Sequence, residues 1–258
     1  MTMIKKQFTF DQFISETQVA LTSNHSAKYQ RSSSTGSEDF TGTKSFNQAT
    51  GYLKHGWPEG VSRLKTALDN IKSATAPALE CSFDVAGEEV DVGRLMAGDP
   101  ENMVNWNYVD REGIKFTDVY VSYGFSARYT VEQVVRRGAA ILANIDGLEA
   151  NGHRCRIIGY QCSGYGRGQK VIGLEVQVIL KDYNESLELD RLAFCLVNPS
   201  MLRRMGFKLE ERFQPKMTNH NYGHGQGFKA PEGALHVGDR TFTETDVNSQ
   251  FSEHSKTK

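Results

Sequence analysis

The loop between residues 163 and 170 holds the residue types best suited to contact a ligand. It reads Ser-Gly-Tyr-Gly-Arg-Gly-Gln-Lys, with three glycines, one aromatic ring and two cations. Glycines let a backbone approach a ligand closely, Arg167 and Lys170 can pair with phosphates, and Tyr165 can stack on a base. This combination predicts a surface for single-stranded nucleic acid. The alternative is a mobile hairpin connection whose charges only keep it soluble.

A second basic cluster follows about thirty residues later, with phenylalanines interleaved. Basic residues alternating with aromatic ones are typical of nucleic-acid grooves. We therefore expect Arg203, Arg204 and Lys208 to contact phosphates, and Tyr222 to stack on a base. The alternative is a solvated helix end whose charge is neutralised by the neighbouring Glu-Glu pair.

The elements that would position these residues are read from hydrophobic periodicity. Thr130–Glu149 is an amphipathic helix with Thr130 as its cap, and it lies between the strands Phe116–Val121 and Arg156–Tyr160. Strand, helix and strand in this order predict a parallel βαβ unit. The runs Val171–Leu180 and Leu192–Val197 are expected to be further strands. Arg136 and Arg137 are expected on the exposed surface of the helix.

These elements predict an α/β protein, α+β overall, with a mixed sheet and flanking helices. The N-terminal segment, residues 1–43, contains a flexible Ser/Thr-rich loop. Residues 44–213 form a single α/β core domain that includes a small N-terminal helical and β layer. Residues 214–258, rich in Gly, His and Asn at their start, are expected to form a flexible polar arm.

Composition excludes several classes of protein. The net charge is −1, yet residues 80–118 hold ten acids against three cations, and residues 153–181 hold five cations against one acid. This segregation predicts one face for an anionic partner. The four cysteines are Cys81, Cys155, Cys162 and Cys195. Their spacing matches neither a metal site nor a disulfide framework, so we expect them to be reduced.

Nothing in the residues indicates catalysis, a cofactor or a metal. No Ser lies in a nucleophile elbow, no Cys has a recognisable His partner, and no run of apolar residues is long enough to span a membrane. The N-terminus lacks the apolar stretch of a signal peptide. We expect a non-enzymatic protein of a reducing cytoplasm.

Three short motifs resemble those of an uncharacterised family of tailed-phage proteins. They are Thr41–Phe46, Gly56–Gly60, and Asp91–Arg94 together with Ala97–Met103, within a similarity that runs from Phe40 to Phe207. The resemblance implies a phage origin and the cytoplasm of the infected host bacterium, and it implies no activity.

The segment Phe116–Ser163 is similar to the opening of a von Willebrand factor A-type domain. That family has an Asp-x-Ser-x-Ser metal motif where this chain has Ser122-Tyr-Gly-Phe-Ser126. Ser126 matches and the acidic ligand is absent, so we expect no metal. In size and composition the chain is also similar in kind to phage single-stranded-DNA-binding transcription regulators.

Two functions therefore remain open. The first is a phage-encoded single-stranded-DNA-binding accessory protein for transcription or replication, which self-associates and whose partners include phage RNA polymerase or replication proteins. The second is a non-catalytic interaction module, a degenerate von Willebrand A-like domain that binds another phage or host protein. The two differ in whether the cations line one groove.

Overall fold

A computed structural model describes residues 2–21, 38–71, 79–108, 115–166, 171–218, 222 and 224–256. Strands and helices alternate along these residues, which confirms the predicted α/β class. The strands are β1 (Thr2–Phe8), β2 (Leu79–Asp84), β3 (Glu89–Val90), β4 (Met103–Tyr108), β5 (Lys115–Ser122), β6 (His153–Tyr165), β7 (Ile172–Lys181), β8 (His224–Gly225) and β9 (Leu235–Val237).

The helices vary from one turn to more than five. They are α1 (Phe10–Gln18), α2 (Glu38–Thr41), α3 (Phe46–His55), α4 (Pro58–Asn70), α5 (Val92–Met96), α6 (Val131–Ala150), α7 (Leu189–Val197), α8 (Phe207–Phe213), α9 (Pro215–Thr218) and α10 (Glu244–Lys256). A π-helical segment, Met201–Gly206, leads directly into α8.

The main sheet is mixed, as predicted. Its order is β1-β7-β6-β5-β9, with β8 paired to β6, and β2, β4 and β3 form a separate three-stranded sheet. β5 and β6 are parallel and joined by α6, which confirms the βαβ unit. β7 runs antiparallel to β6, whereas β1 is parallel to β7 and β9 is parallel to β5. The first and the last of the described strands thus form the two edges of the sheet.

Helix α6 forms where the sequence predicts it because its first turn is fully capped. The Thr130 side chain accepts from the backbone N–H of Gln133, and the Gln133 side chain accepts from the N–H of Thr130. This reciprocal capping box satisfies two donors that a helix start otherwise leaves unpaired. The apolar face of α6 then packs on β6 and against α4, α7 and α10.

The two faces of the main sheet have different covers. Val119, Val121 and Ile157 face the helices and belong to the large core. Tyr120 and Ile158, one position along each strand, point the opposite way and lie under Phe228, Ala230 and Ala234. Alternate side chains of a strand point to opposite faces, so residues 228–234 act as the lid of the second face.

Three sequence predictions need correction. Leu192–Val197 lies in helix α7, whose last six residues are all buried, so the run shows no period from which helix and strand could be distinguished. The segment before residue 44 contributes β1 to the main sheet, whereas residues 22–37 of its predicted Ser/Thr-rich loop lie outside the described residues. The segment after residue 213 is not an unpacked arm throughout, since β9 joins the sheet and Val247 and Phe251 are buried.

Candidate functional site

The predicted loop is only partly within the described residues. Tyr165 is the last residue of β6, and 38% of its surface is exposed. Gly166 follows with a φ of 125°, a backbone conformation that favours glycine. Arg167 and Lys170 lie outside the described residues. The structure therefore places the aromatic member of the loop at the surface, at the end of β6.

Arg203 and Arg204 do not lie at the surface where the sequence predicts phosphate contacts. Arg204 is fully buried; its guanidinium donates to the Thr43 hydroxyl at 2.7 Å, the Thr43 carbonyl at 2.8 Å and the Thr41 hydroxyl at 3.1 Å. Arg203 is 6% exposed and donates to the carbonyl of Phe40. Burial lowers the pKa of both. This corrects the prediction: both side chains fasten residues 40–43 to the π-helical segment.

Tyr222 is likewise buried, at 3% exposure, which corrects its predicted role in base stacking. Its ring stacks on Phe207 with centroids 4.0 Å apart, and its hydroxyl donates to Oε1 of Glu211 at 2.7 Å. Lys208 is half-buried with Nζ 5.9 Å from the centroid of Phe46, and burial lowers its pKa. The structure therefore does not assemble the predicted basic and aromatic surface from its described members.

A cleft of about 490 Å³ lies elsewhere, beyond the carboxyl end of β5. β5 ends at Ser122 opposite Tyr160, while β6 continues for five residues. The cleft occupies the space above this overhang, and it is a common position for ligands in α/β sheets. Its walls come from the β5–α6 connection, β6, the π-helical segment, α8 and two C-terminal segments. The polar side chains among them are Ser122, Ser126, Tyr160, Gln161, Ser163, Glu210, Tyr222, Gln226, His236 and Asp239.

Glu210 is the buried acid of the cleft. Its Oε1 accepts from the Ser163 hydroxyl at 2.6 Å and from Nε2 of Gln161 at 3.0 Å. Its Oε2 and the Oε1 of Gln161 are buried without a hydrogen-bond partner among the described residues. Burial raises the pKa of Glu210 to about 8, although the Ser163 bond acts in the opposite direction. Glu210 therefore carries a proton near neutral pH.

Gln161 is brought against the π-helical segment by a glycine. A Cβ at Gly206 would lie 2.0 Å from Oε1 of Gln161, so no other residue type fits there without a shift. π-helical turns occur frequently at functional sites. The close approach allows α8 to start beside β6 and to carry Glu210 into the cleft wall.

An aromatic group lines another part of the cleft, on the second face of the sheet. Tyr160 stacks on Phe228 with centroids 3.9 Å apart, and its hydroxyl lies 2.6 Å from Nε2 of His236. Burial raises the pKa of Tyr160 and lowers that of His236, so both are neutral at neutral pH. Asp239 lies beyond β9 and is exposed. The wall therefore offers ring faces and acceptors, with an exposed acid beside it.

The sequence carried one signal for this site. Gln161 and Ser163 are polar residues two positions apart in β6, so they point to one face of the sheet. Buried polar groups in a strand need partners, which predicts a polar element packed on that face. No pattern identifies Glu210 as that partner, because it is 47 residues from Ser163.

In the part of the chain that the structure describes, no helix is both long and apolar enough to cross a membrane. Comparison with curated proteins and with solved structures produced no match. A family model described as a domain of unknown function, DUF7192, matches residues 9–253. Since this match includes almost every described element, the chain belongs to the DUF7192 family.

Proposed function

We propose that the protein is a non-catalytic interaction module whose cleft binds a segment of another phage or host protein. The observation that carries the proposal is the pair of buried oxygens, Oε2 of Glu210 and Oε1 of Gln161, that lack partners in a wall of the cleft. Buried polar atoms are nearly always hydrogen-bonded, and leaving one unpaired costs about 1–3 kcal/mol. A bound group that pairs them would recover this energy.

The local topology supports the same proposal. The segment that resembles a von Willebrand A-type domain folds as strand, helix and strand, which is what that resemblance implies. The cleft lies directly after the first strand of this unit. The phage source and the cytoplasm of the infected host are part of the proposal, and they rest on the motifs that resemble tailed-phage proteins.

A bulky side chain in the cleft tests this function. Gly227 lines the cleft, and a Cβ there meets no atom within 4 Å, so Gly227→Trp adds bulk without a packing conflict. Partners are captured from a lysate of the infected host with the wild-type protein, identified, purified and titrated. We expect Gly227→Trp to lower the affinity for the purified partner at least about tenfold.

Gly51→Trp is the matched control. Gly51 lies in α3, outside the cleft, and its Cβ position is equally free of neighbours. The control should bind as tightly as the wild-type protein. Equal affinities for the two Trp variants would contradict the assignment of the cleft.

A second candidate is the single-stranded-DNA-binding accessory protein, with self-association and with polymerase or replication proteins as partners. The observation in its favour is the exposed Tyr165 at the end of β6, immediately before the segment that contains Arg167 and Lys170. An exposed ring next to cations suits a strand with unpaired bases. Arg203, Arg204 and Tyr222 give it no support.

Gel-shift assays in a salt series, with single-stranded DNA, duplex DNA and RNA, test this candidate. If it holds, Tyr165→Ala weakens single-strand binding by about 1–3 kcal/mol because one stacking contact is lost. Phe116→Ala, which removes an exposed ring at the opposite end of the sheet, is the control and should leave binding unchanged. No retardation of any oligomer at about 50 mM salt would exclude this function.

A further inference from the structure

The carboxyl groups that line the cleft have no basic side chain beside them among the described lining residues. Among the described lining residues the ionisable acids are Glu210 and Asp239, and none is a lysine or an arginine. His236 does not compensate, because burial lowers its pKa. The guanidinium of Arg137 lies behind the cleft, where it donates to the carbonyl of Ser122, and at 1% exposure it does not reach an occupant. An anionic group would therefore meet Asp239, and Glu210 once it is ionised, with no lysine or arginine among the described lining residues to pair with it, and this disfavours phosphate or carboxylate.

The unfilled hydrogen-bonding capacity of the cleft consists of oxygens. Oε2 of Glu210 and Oε1 of Gln161 have no partner among the described residues, while the other oxygen of Glu210 accepts twice. When Glu210 is ionised, both unpartnered atoms are acceptors. They need a group with several N–H donors, which guanidinium and ammonium groups provide.

The aromatic wall suits the same kind of group. The rings of Phe228 and Phe207 line the cleft together with Tyr160. A cation over a ring face is attracted by the negative face of the ring, and a neutral polar group is attracted less. Exposed Asp239 adds an attraction that guides a cation toward the cleft.

From these features we infer that the cleft takes a basic side chain, arginine or lysine, from the bound polypeptide. The inference rests on the proposed interaction function and names the chemistry of its occupant. The basic group pairs with Glu210 and Gln161 and lies against the rings that line the cleft. Binding an ammonium or guanidinium there ionises Glu210 and releases its proton.

Glu210 is the group that makes this binding depend on pH. It is packed among Gln161, Ser163, Glu211 and Tyr123, and burial raises the pKa of Glu210 to about 8. Elsewhere in the cleft, burial raises the pKa of Tyr160 and raises the pKa of Cys162 to about 11, whereas it lowers the pKa of His236. The carboxylate of Asp239 faces His236 and Tyr160. Affinity for a basic group should thus rise with pH until about 8, by up to about tenfold per pH unit.

Four capped tripeptides test the inference in NMR titrations of the full chain. Each has glycine on both sides of a central arginine, lysine, citrulline or glutamate; citrulline has nearly the shape of arginine without its charge. We expect the arginine or lysine peptide to shift the amide signals of Gln161, Ser163 and Asp239 saturably. The citrulline peptide should bind at least about tenfold more weakly, and the glutamate peptide more weakly still.

Two variants locate the interaction. Glu210→Gln should reduce affinity for the basic peptide about tenfold and remove its dependence on pH. Asp239→Asn, at an exposed position where folding is not at risk, should reduce affinity about threefold. It keeps the test decisive if the Glu210 variant fails to fold.

Citrulline or glutamate binding as well as arginine would overturn the inference, as would the absence of saturable binding by both basic peptides. The proposed function fails separately. If Gly227→Trp lowers the affinity for a partner but no basic peptide binds, the proposed interaction function is supported and the inference of a basic occupant is wrong.

Discussion

Replacing Arg137 by methionine is expected to lower the free energy of unfolding by roughly 2–4 kcal/mol. Arg137 is 1% exposed, so the prediction that it lies on the exposed surface of α6 is wrong. Its guanidinium donates to the carbonyls of Ser122 at 3.1 Å, Gly238 at 3.1 Å and Thr241 at 2.9 Å. The carbonyls of Ser122 and Thr241 lose this donor at about 1 kcal/mol or more apiece, whereas the carbonyl of Gly238 keeps the backbone N–H of Thr241 at 3.3 Å. The expected loss of unfolding free energy is smaller than the sum of these bonds, because burying the Arg137 charge is itself unfavourable. The same burial lowers the pKa of Arg137 to about 10.

The neighbouring residue supplies a matched control for this prediction. Arg136 is exposed on the same helix and pairs with Glu132 one turn earlier, at 2.6 Å. Arg136→Met should change stability by no more than about 0.5 kcal/mol. Urea denaturation of both variants measures the difference, and equal losses would contradict the role assigned to Arg137. Hydrogen exchange should be faster around Val247 in the Arg137 variant, because the lost bonds hold the segment before α10.

The second large effect is expected in the pH dependence of stability. Glu210 has its pKa raised from 4.5 to about 8 by burial in the folded state. Below pH 4.5 the carboxyl is protonated in both the folded and the unfolded chain, and its contribution to stability is fully present. As pH rises from there to about 8, the unfolded chain ionises and the folded chain does not, so stability falls by about 1 kcal/mol per pH unit.

Glu210→Gln should remove this slope, because glutamine is neutral at every pH and still accepts from Ser163. Denaturation profiles of the wild-type protein and the variant, measured from acid to mildly alkaline pH, should therefore cross or diverge across this window. Glu232→Gln changes an exposed acid and should keep the wild-type slope. Parallel profiles for wild type and Glu210→Gln would show that Glu210 is ionised in the folded protein.

Local patterns predicted the centre of the fold and not its edges. The unit β5–α6–β6 has a capping residue, a long amphipathic stripe and two β-branched runs, and each feature acts over a few neighbouring residues. β1 pairs with β7, whose residues are about 170 positions away, and no periodicity reveals such a partner. β9 has three residues, which is too short for an alternating pattern to stand out.

The candidate site was less accessible to sequence reasoning for a related reason. Arg203 and Arg204 look exposed in a row of charged residues, and their burial is decided by Phe40–Thr43, which covers them from a distant part of the chain. In the sequence, Glu210 is expected only to neutralise the charge of the basic residues near it. Whether a charged side chain is buried depends on what packs over it, and a single sequence contains no local record of that.

The two edge strands of the sheet have a consequence for synthesis. As the chain leaves the ribosome, Thr2–Phe8 emerges about 170 residues before its partner Ile172–Val178. The edge of β5 at Val119–Val121 likewise stays open until Leu235–Val237 follows, more than 100 residues later. Pairings this distant in sequence form slowly. During that interval the open edges can pair with another nascent chain, so folding yield should depend on how crowded the ribosomes are.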